Sequence, residues 1–200
     1  MTVQKQSETE LSEKDKKLLD SYGITETTKI TFFVRTPKML FWLSVLTLNV
    51  YDVYWFYKNW QAVQKVSTKK ISPFWRSIFT LFYIWPLLRL MSLQAKARGM
   101  QKSYDPVRLA VMYLLVSYLG LVLSRSPSAF GETASWFGLL ATCPLAAWVL
   151  LLMQRAAAFN NGKVDKSSAP SGVLPAQLKL GKVEKVIVII SAIFLVLATI

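Results

Sequence analysis

Three polar residues set into an aromatic, apolar run are the first candidates for chemistry. Residues 39–60 read MLFWLSVLTLNVYDVYWFYKNW and carry Asn49, Asp52 and Asn59. On a helix, Val45, Asn49, Asp52, Phe56 and Asn59 recur at i, i+4, i+7, i+11 and i+14, which is one stripe. A carboxylate on such a stripe has to be paired, neutralised or used, because burying it bare is costly. The second apolar run, residues 74–91 (FWRSIFTLFYIWPLLRLM), places Arg76, Thr80 and Tyr83 on one face by the same spacing. The expectation is that Asp52 accepts a hydrogen bond from Tyr83 or Thr80 and fixes the register of a hairpin made by the two runs. The alternative is a proton or cation site in a small transporter or channel component. Arg89, close after Pro86, marks where the second run surfaces, by snorkelling or by binding anionic lipid.

Little else in the chain offers reactive groups. There is no His, and Cys143 is the single cysteine. That removes the usual general base, most transition-metal sites and any intramolecular disulfide. No enzymatic activity, no metal and no cofactor are expected. Cys143 lies beside Pro144 in an apolar stretch, where a thiol packs and stays inert, and Pro144 is expected to kink its helix.

The elements that must hold these residues are apolar runs separated by basic loops. Hydrophobic residues make up 53% of the 200 positions, with a formal net charge of +13. In a soluble protein that charge would suggest nucleic acid. Here the cations flank apolar segments, so anionic lipid headgroups are the expected partner and nucleic acid is not. A protein partner or a second copy of the chain is the other candidate for the basic face. Long runs without a polar face point to bilayer rather than to a soluble core.

In chain order, the spacing predicts a surface helix over residues 7–22, opened by a Ser7/Glu10 capping box and stopped by Gly23. Leu11, Leu18 and Tyr22 form a thin docking face on it. Residues 24–35, rich in Thr, Ile, Phe and Val, predict a short strand or extended linker. The charge-free parts of the two early runs are short, 13 residues after Lys38 and 12 between Arg76 and Arg89, the latter interrupted by Pro86; crossing the hydrocarbon takes about 20. Longer uncharged runs follow, 16 residues from Leu109, 22 from Thr133 and 15 from Val186. They predict spans at about 107–124, 135–154 and 184–200, with a flexible Gly, Ser, Pro and Asn-rich loop over 156–182. Gly120 with Ser117, and Gly138 with Ala134, permit close helix approach. Trp42, Tyr54, Trp55, Trp60, Trp75 and Trp85 are expected as interface-belt residues or as packing between the early runs. The first 29 residues are polar, so targeting is expected from an internal segment.

Counting cations sets the topology. Of the 17 Lys and Arg after residue 38, ten lie between Lys58 and Arg108, one is Arg125, and six lie between Arg155 and Lys185. If both early runs crossed fully, Lys58, Lys65, Lys69, Lys70 and Arg76 would join Arg125 outside. If they form an embedded or re-entrant hairpin on the cytoplasmic side, only Arg125 is outside. The expected fold is therefore an all-α membrane protein: a polar cytoplasmic N-terminal region over 1–38, an aromatic-rich embedded hairpin over 39–91, and about three transmembrane helices within 92–200. A five-pass bundle is the alternative.

The TPK of residues 36–38, the T-x-N-x-Y-D-x-Y-W-F-Y-K-N-W of residues 47–60 and the ISPFWRSIF of residues 71–79 resemble a family of uncharacterised bacterial membrane proteins that carry a domain of unknown function. The resemblance covers about residues 30–95, and Asn49 stands where the pattern has a small, Gly-like residue. It implies location in a bacterial inner membrane and brings no reaction, substrate or catalytic residue.

Overall fold

Backbone geometry divides the first apolar run in two. In the computed structural model, which describes residues 12–25, 28–97, 105–124, 127–161 and 181–198, a helix α2 (Pro37–Leu46) is followed by a separate α3 (Val50–Val66). Pro37 occupies the first turn, where its missing N–H costs nothing. At the other end Leu48 and Asn49 both take left-handed φ angles, 48° and 65°. Their amides fold back on α2, Leu48 N–H to Val45 O at 3.1 Å and Asn49 N–H to Ser44 O at 2.8 Å. That is a Schellman stop built without glycine. Asn tolerates this conformation through its short polar side chain, whereas Leu48 carries a strain of about 1–2 kcal/mol. Thr47 joins the two helices: its hydroxyl donates to Leu43 O at 2.7 Å and accepts from Tyr51 N–H at 3.0 Å.

The second run also divides, and at a different place from the one expected. A short α4 (Pro73–Ile78) breaks at Phe79, and α5 (Thr80–Ala97) then runs through Pro86 without interruption. The remaining helices are α1 (Glu13–Tyr22), α6 (Pro106–Ser124), α7 (Pro127–Asn160) and α8 (Lys182–Ala198). Among the described residues the fold is eight helices with no strand. Two helices are long and apolar enough to cross a membrane by length and composition, Pro106–Leu123 within α6 and Ala141–Phe159 within α7.

α6 and α7 pack as an antiparallel pair. They come close at Gly120, where an added Cβ would sit 2.5 Å from Thr142 Oγ1. The Gly138/Ala134 pair lies outside the residues whose side chains are described. α2 lies on α7, α5 packs against both α6 and α7, and α3 covers α4 and α5. α7 continues through Ala156 and Ala157, both fully buried, to Asn160. The loop expected from 156 therefore starts later; residues 162–180 lie outside the described residues.

The N-terminal part caps this assembly. α1 stops at Gly23, φ 61°, as the sequence predicts, while its Ser7/Glu10 capping box lies outside the described residues. Leu19 and Tyr22 are its buried apolar face. The loop after α3 satisfies the last carbonyls of α1: Ser67 Oγ donates to Tyr22 O, and Lys69 Nζ donates to Asp20 O at 2.7 Å. Residues 28–36 are extended but pair with no strand, so the expected strand is absent and the extended linker holds. Tyr22 packs on Trp60, Phe33 on Tyr54, and Arg35 shares an acidic partner with Tyr51, so this strap runs antiparallel along α3. Ile30 and Phe32 of the strap join Leu40, Trp55, Phe56, Leu87, Met91 and Leu150 in one core. Each fully buried aliphatic or Phe side chain there contributes about 1.5–3 kcal/mol. Of the tryptophans, Trp55 and Trp60 are buried packing residues, while Trp42, Trp75 and Trp85 face outward.

Candidate functional site

The elbow between α2 and α3 places a carboxylate in the interior. Asp52, in the first turn of α3, is fully buried. Its Oδ1 accepts from the Ser44 hydroxyl at 2.5 Å, and its Oδ2 accepts from the Tyr113 hydroxyl of α6 at 2.9 Å. The expected partners, Tyr83 and Thr80, are not the ones used. Because α2 turns back at residues 47–49, Ser44 meets Asp52 from the preceding helix, and Thr80 instead donates to Ser77 O across the α4–α5 break. Asn49 belongs to the same cluster, its Oδ1 a second acceptor for Ser44 Oγ at 3.1 Å. The five-residue stripe is thus interrupted: Val45 is on α2, Asn49 is in the elbow, and only Asp52, Phe56 and Asn59 share the buried face of α3. Chemically the arrangement ties elbow to α6, with a donor on each carboxylate oxygen.

Asn59 serves another purpose. An extended segment with no strand neighbour leaves its N–H and C=O groups to be satisfied by something else. Here side-chain amides do it. Asn59 Oδ1 accepts from Phe33 N–H at 3.0 Å, with its Nδ2 donating to Trp55 O at 2.9 Å. Gln154 of α7 holds both Arg35 N–H and Arg35 O, at 2.9 and 2.8 Å. Asn161 holds Phe32 N–H and Phe32 O at 3.1 and 2.7 Å, and Gln94 of α5 accepts from Ile30 N–H at 3.2 Å while donating to Thr28 O at 2.6 Å. A primary amide offers the same donor and acceptor pair as a peptide group, so these four side chains stand in for a neighbouring strand.

Where the strap enters α2, two charges are buried together. Arg35 pairs with Glu184 of α8, the guanidinium 9% and the carboxylate 0% exposed. Arg35 Nε donates to Glu184 Oε1 at 2.9 Å and Nη2 donates to Oε2. The Tyr51 hydroxyl donates to Oε1 at 2.8 Å, and Gly181 N–H to Oε2 at 2.7 Å. Burial alone would lower the proton affinity of Arg35, but the Glu184 carboxylate more than reverses this, leaving its pKa above the ordinary value. The guanidinium is therefore held charged, and the carboxylate has the donors a buried anion requires.

Arg76 and Tyr83 are brought together as the sequence spacing suggests. The Arg76 guanidinium lies 4.9 Å from the Tyr22 ring, 4.7 Å from Trp60 and 4.8 Å from Tyr83. Three elements, α1, α3 and α5, thus supply the walls of one cation–π cage. Arg89 sits apart from it, paired with Asp15 of α1 at 2.6 Å. In this structure it anchors the cap.

Of the six residues singled out from the sequence, Asn49 joins Asp52 and Arg76 joins Tyr83, whereas Asn59 and Arg89 stand in separate places. Ser44, Tyr113, Arg35, Glu184, Tyr51, Gln94, Gln154 and Asn161 were not singled out. Their signal was faint but present. Glu184 is a lone carboxylate between Lys182 and Lys185 at the foot of an apolar run, and Gln154 ends the 22-residue uncharged run. Compared with sequence families, with curated proteins and with solved structures, the chain matches none.

Proposed function

We propose that the chain is a multi-pass helical protein of the bacterial inner membrane that acts by binding, its basic cytoplasmic face engaging anionic lipid. α1 and the strap form a cytoplasmic cap, residues 39–91 form an embedded hairpin entering from that side, and α6, α7 and α8 cross. One observation carries this. Around the α4–α5 break Phe74, Trp75, Ile78, Phe79, Leu81 and Phe82 are all exposed, up to 70% for Phe82, shortly after Lys65 in the last turn of α3 and Lys69 and Lys70 in the loop that follows it. A monomer in water rarely shows so large an apolar patch, whereas an apolar wedge edged by lysines suits the boundary between acyl chains and acidic headgroups. α6 supports the same surroundings, with Leu115 and Tyr118 more than 60% exposed. The cation count of the loops agrees with it.

Labelling tests the topology. A cysteine at Lys70, with buried Cys143 as the only other thiol, should react with an impermeant thiol reagent in inverted vesicles and not in intact cells; labelling from outside refutes the embedded hairpin. Release of the protein by alkaline carbonate would refute the membrane assignment itself. A second function, a small transporter component centred on Asp52, draws on the helix break beside a buried carboxylate, a device by which discontinuous helices hold ions. Solute flux in vesicles that disappears in Asp52→Asn would carry it.

A further inference from the structure

Three of the five described arginines are answered by carboxylates. Arg35 meets Glu184, Arg89 meets Asp15 and Arg108 meets Asp105. Arg76 differs. Among the described residues no carboxylate pairs with it, and its Nη1 is buried with no hydrogen-bond partner. Three rings at 4.7 to 4.9 Å hold its guanidinium in place, which fixes the plane and leaves the charge uncancelled. The two residues before it in sequence, Phe74 and Trp75, are 56% and 57% exposed, and Trp75 stacks on Phe79, itself exposed. The site thus joins an oriented, only partly buried guanidinium to an outward apolar surface, where the cytoplasmic cap residue Tyr22 meets the hairpin.

We propose that Arg76 is the headgroup site for an anionic phospholipid, its guanidinium taking the phosphate while the acyl chains lie along Phe74, Trp75 and Phe79. The chemistry favours such a ligand because an anion and an apolar tail are required side by side. A planar guanidinium presents paired N–H donors to a phosphate where an ammonium presents a point charge. The aromatic cage spares the site the cost of ordering a long side chain on binding. The proposal rests on the anionic-lipid function above and adds the residue that confers it.

The test uses the full chain in neutral detergent, offered equal amounts of phosphatidylglycerol and phosphatidylcholine with identical acyl chains, with bound lipid read by native mass spectrometry. Wild type should retain phosphatidylglycerol preferentially. Arg76→Gln should lower that preference about tenfold, the worth of one charge-assisted contact, while Arg125→Gln, which removes the cation that the loop count places on the opposite side, leaves it unchanged. Ser72→Asp covers the case in which Arg76→Gln fails to fold. Ser72 is the exposed residue that precedes α4, aspartate suits a helix N-cap, and its carboxylate one turn before Arg76 should compete with the phosphate and lower the preference equally. Inorganic phosphate should not displace the lipid. If the wild-type preference survives in both variants, or free phosphate displaces the lipid as well as another lipid does, the Arg76 site is wrong. If wild type shows no preference at all, the anionic-lipid function falls with it.

Discussion

Replacing Glu184 by Gln removes one charge from a buried pair while keeping the shape. Arg35 would remain 9% exposed, facing an amide that cannot neutralise it. The amide keeps a single oxygen, which can accept either from Arg35 Nε and the Tyr51 hydroxyl or from Arg35 Nη2 and Gly181 N–H, so what is lost is the charge pairing, one of the two Arg35 bonds and one of the other two. Breaking a buried pair on one side typically costs 3–5 kcal/mol, and the remaining bonds put the expectation at the lower end, about 3 kcal/mol. Against a total of about 5–15 kcal/mol that is a large fraction. Arg35→Met should cost a similar amount, because it leaves Glu184 charged and buried. The double variant Arg35→Met with Glu184→Leu should cost less than the sum of its parts, since paired apolar replacement of a buried ion pair is often neutral. Thermal and denaturant unfolding in one detergent measures all three. A Glu184→Gln protein within about 0.5 kcal/mol of wild type, the range of ordinary surface changes, would refute the claim that this pair secures the strap to α8.

Other outcomes follow from particular atoms. Leu48→Gly should relieve the left-handed strain and Leu48→Val deepen it, so melting temperatures should rank Gly, Leu, Val, with the outer two separated by about 1–2 kcal/mol. Gln154→Met orphans the N–H and C=O of Arg35 at about 1–3 kcal/mol; amide exchange should rise across residues 30–35 before it rises in α7, and uniform protection would contradict the amide clasp. Tyr113→Phe deletes one donor to Asp52 and should destabilise by about 1–3 kcal/mol, whereas Tyr83→Phe should leave the Asp52 environment unchanged; the reverse order would restore the partner first expected from the sequence.

The helical character of the chain was legible because apolar runs and Gly23 are local signals. The stretches expected at 107–124 and 135–154 lie inside α6 and α7 for the same reason. The elbow was not, since nothing in the types of Thr47, Leu48 and Asn49 forbids a continuous helix and the decisive left-handed pair includes a leucine. Once the helix is broken, helical spacing no longer says who faces Asp52; that is why Ser44 and Tyr113 displaced Tyr83 and Thr80. Arg76 with Tyr83 survived a break at Phe79 because the intervening turn is short. The amide clasp was invisible for a different reason. Asn and Gln in a helix look alike in sequence whether they face water or a distant backbone, and only the absence of a strand partner for residues 28–35 gives them a task.

That clasp also orders events in time. The strap's backbone is held by residues 64 and 129 positions further along, Gln94 and Asn161, and by Gln154 at 119; its Arg35 waits for a glutamate 149 positions on. A ribosome delivers residues 28–36 before any of these partners exist, so one of the earliest parts of this structure to be synthesised is among the last that can be seated. Seating the strap then becomes a completion step, taken only when α5, α7 and α8 have all arrived.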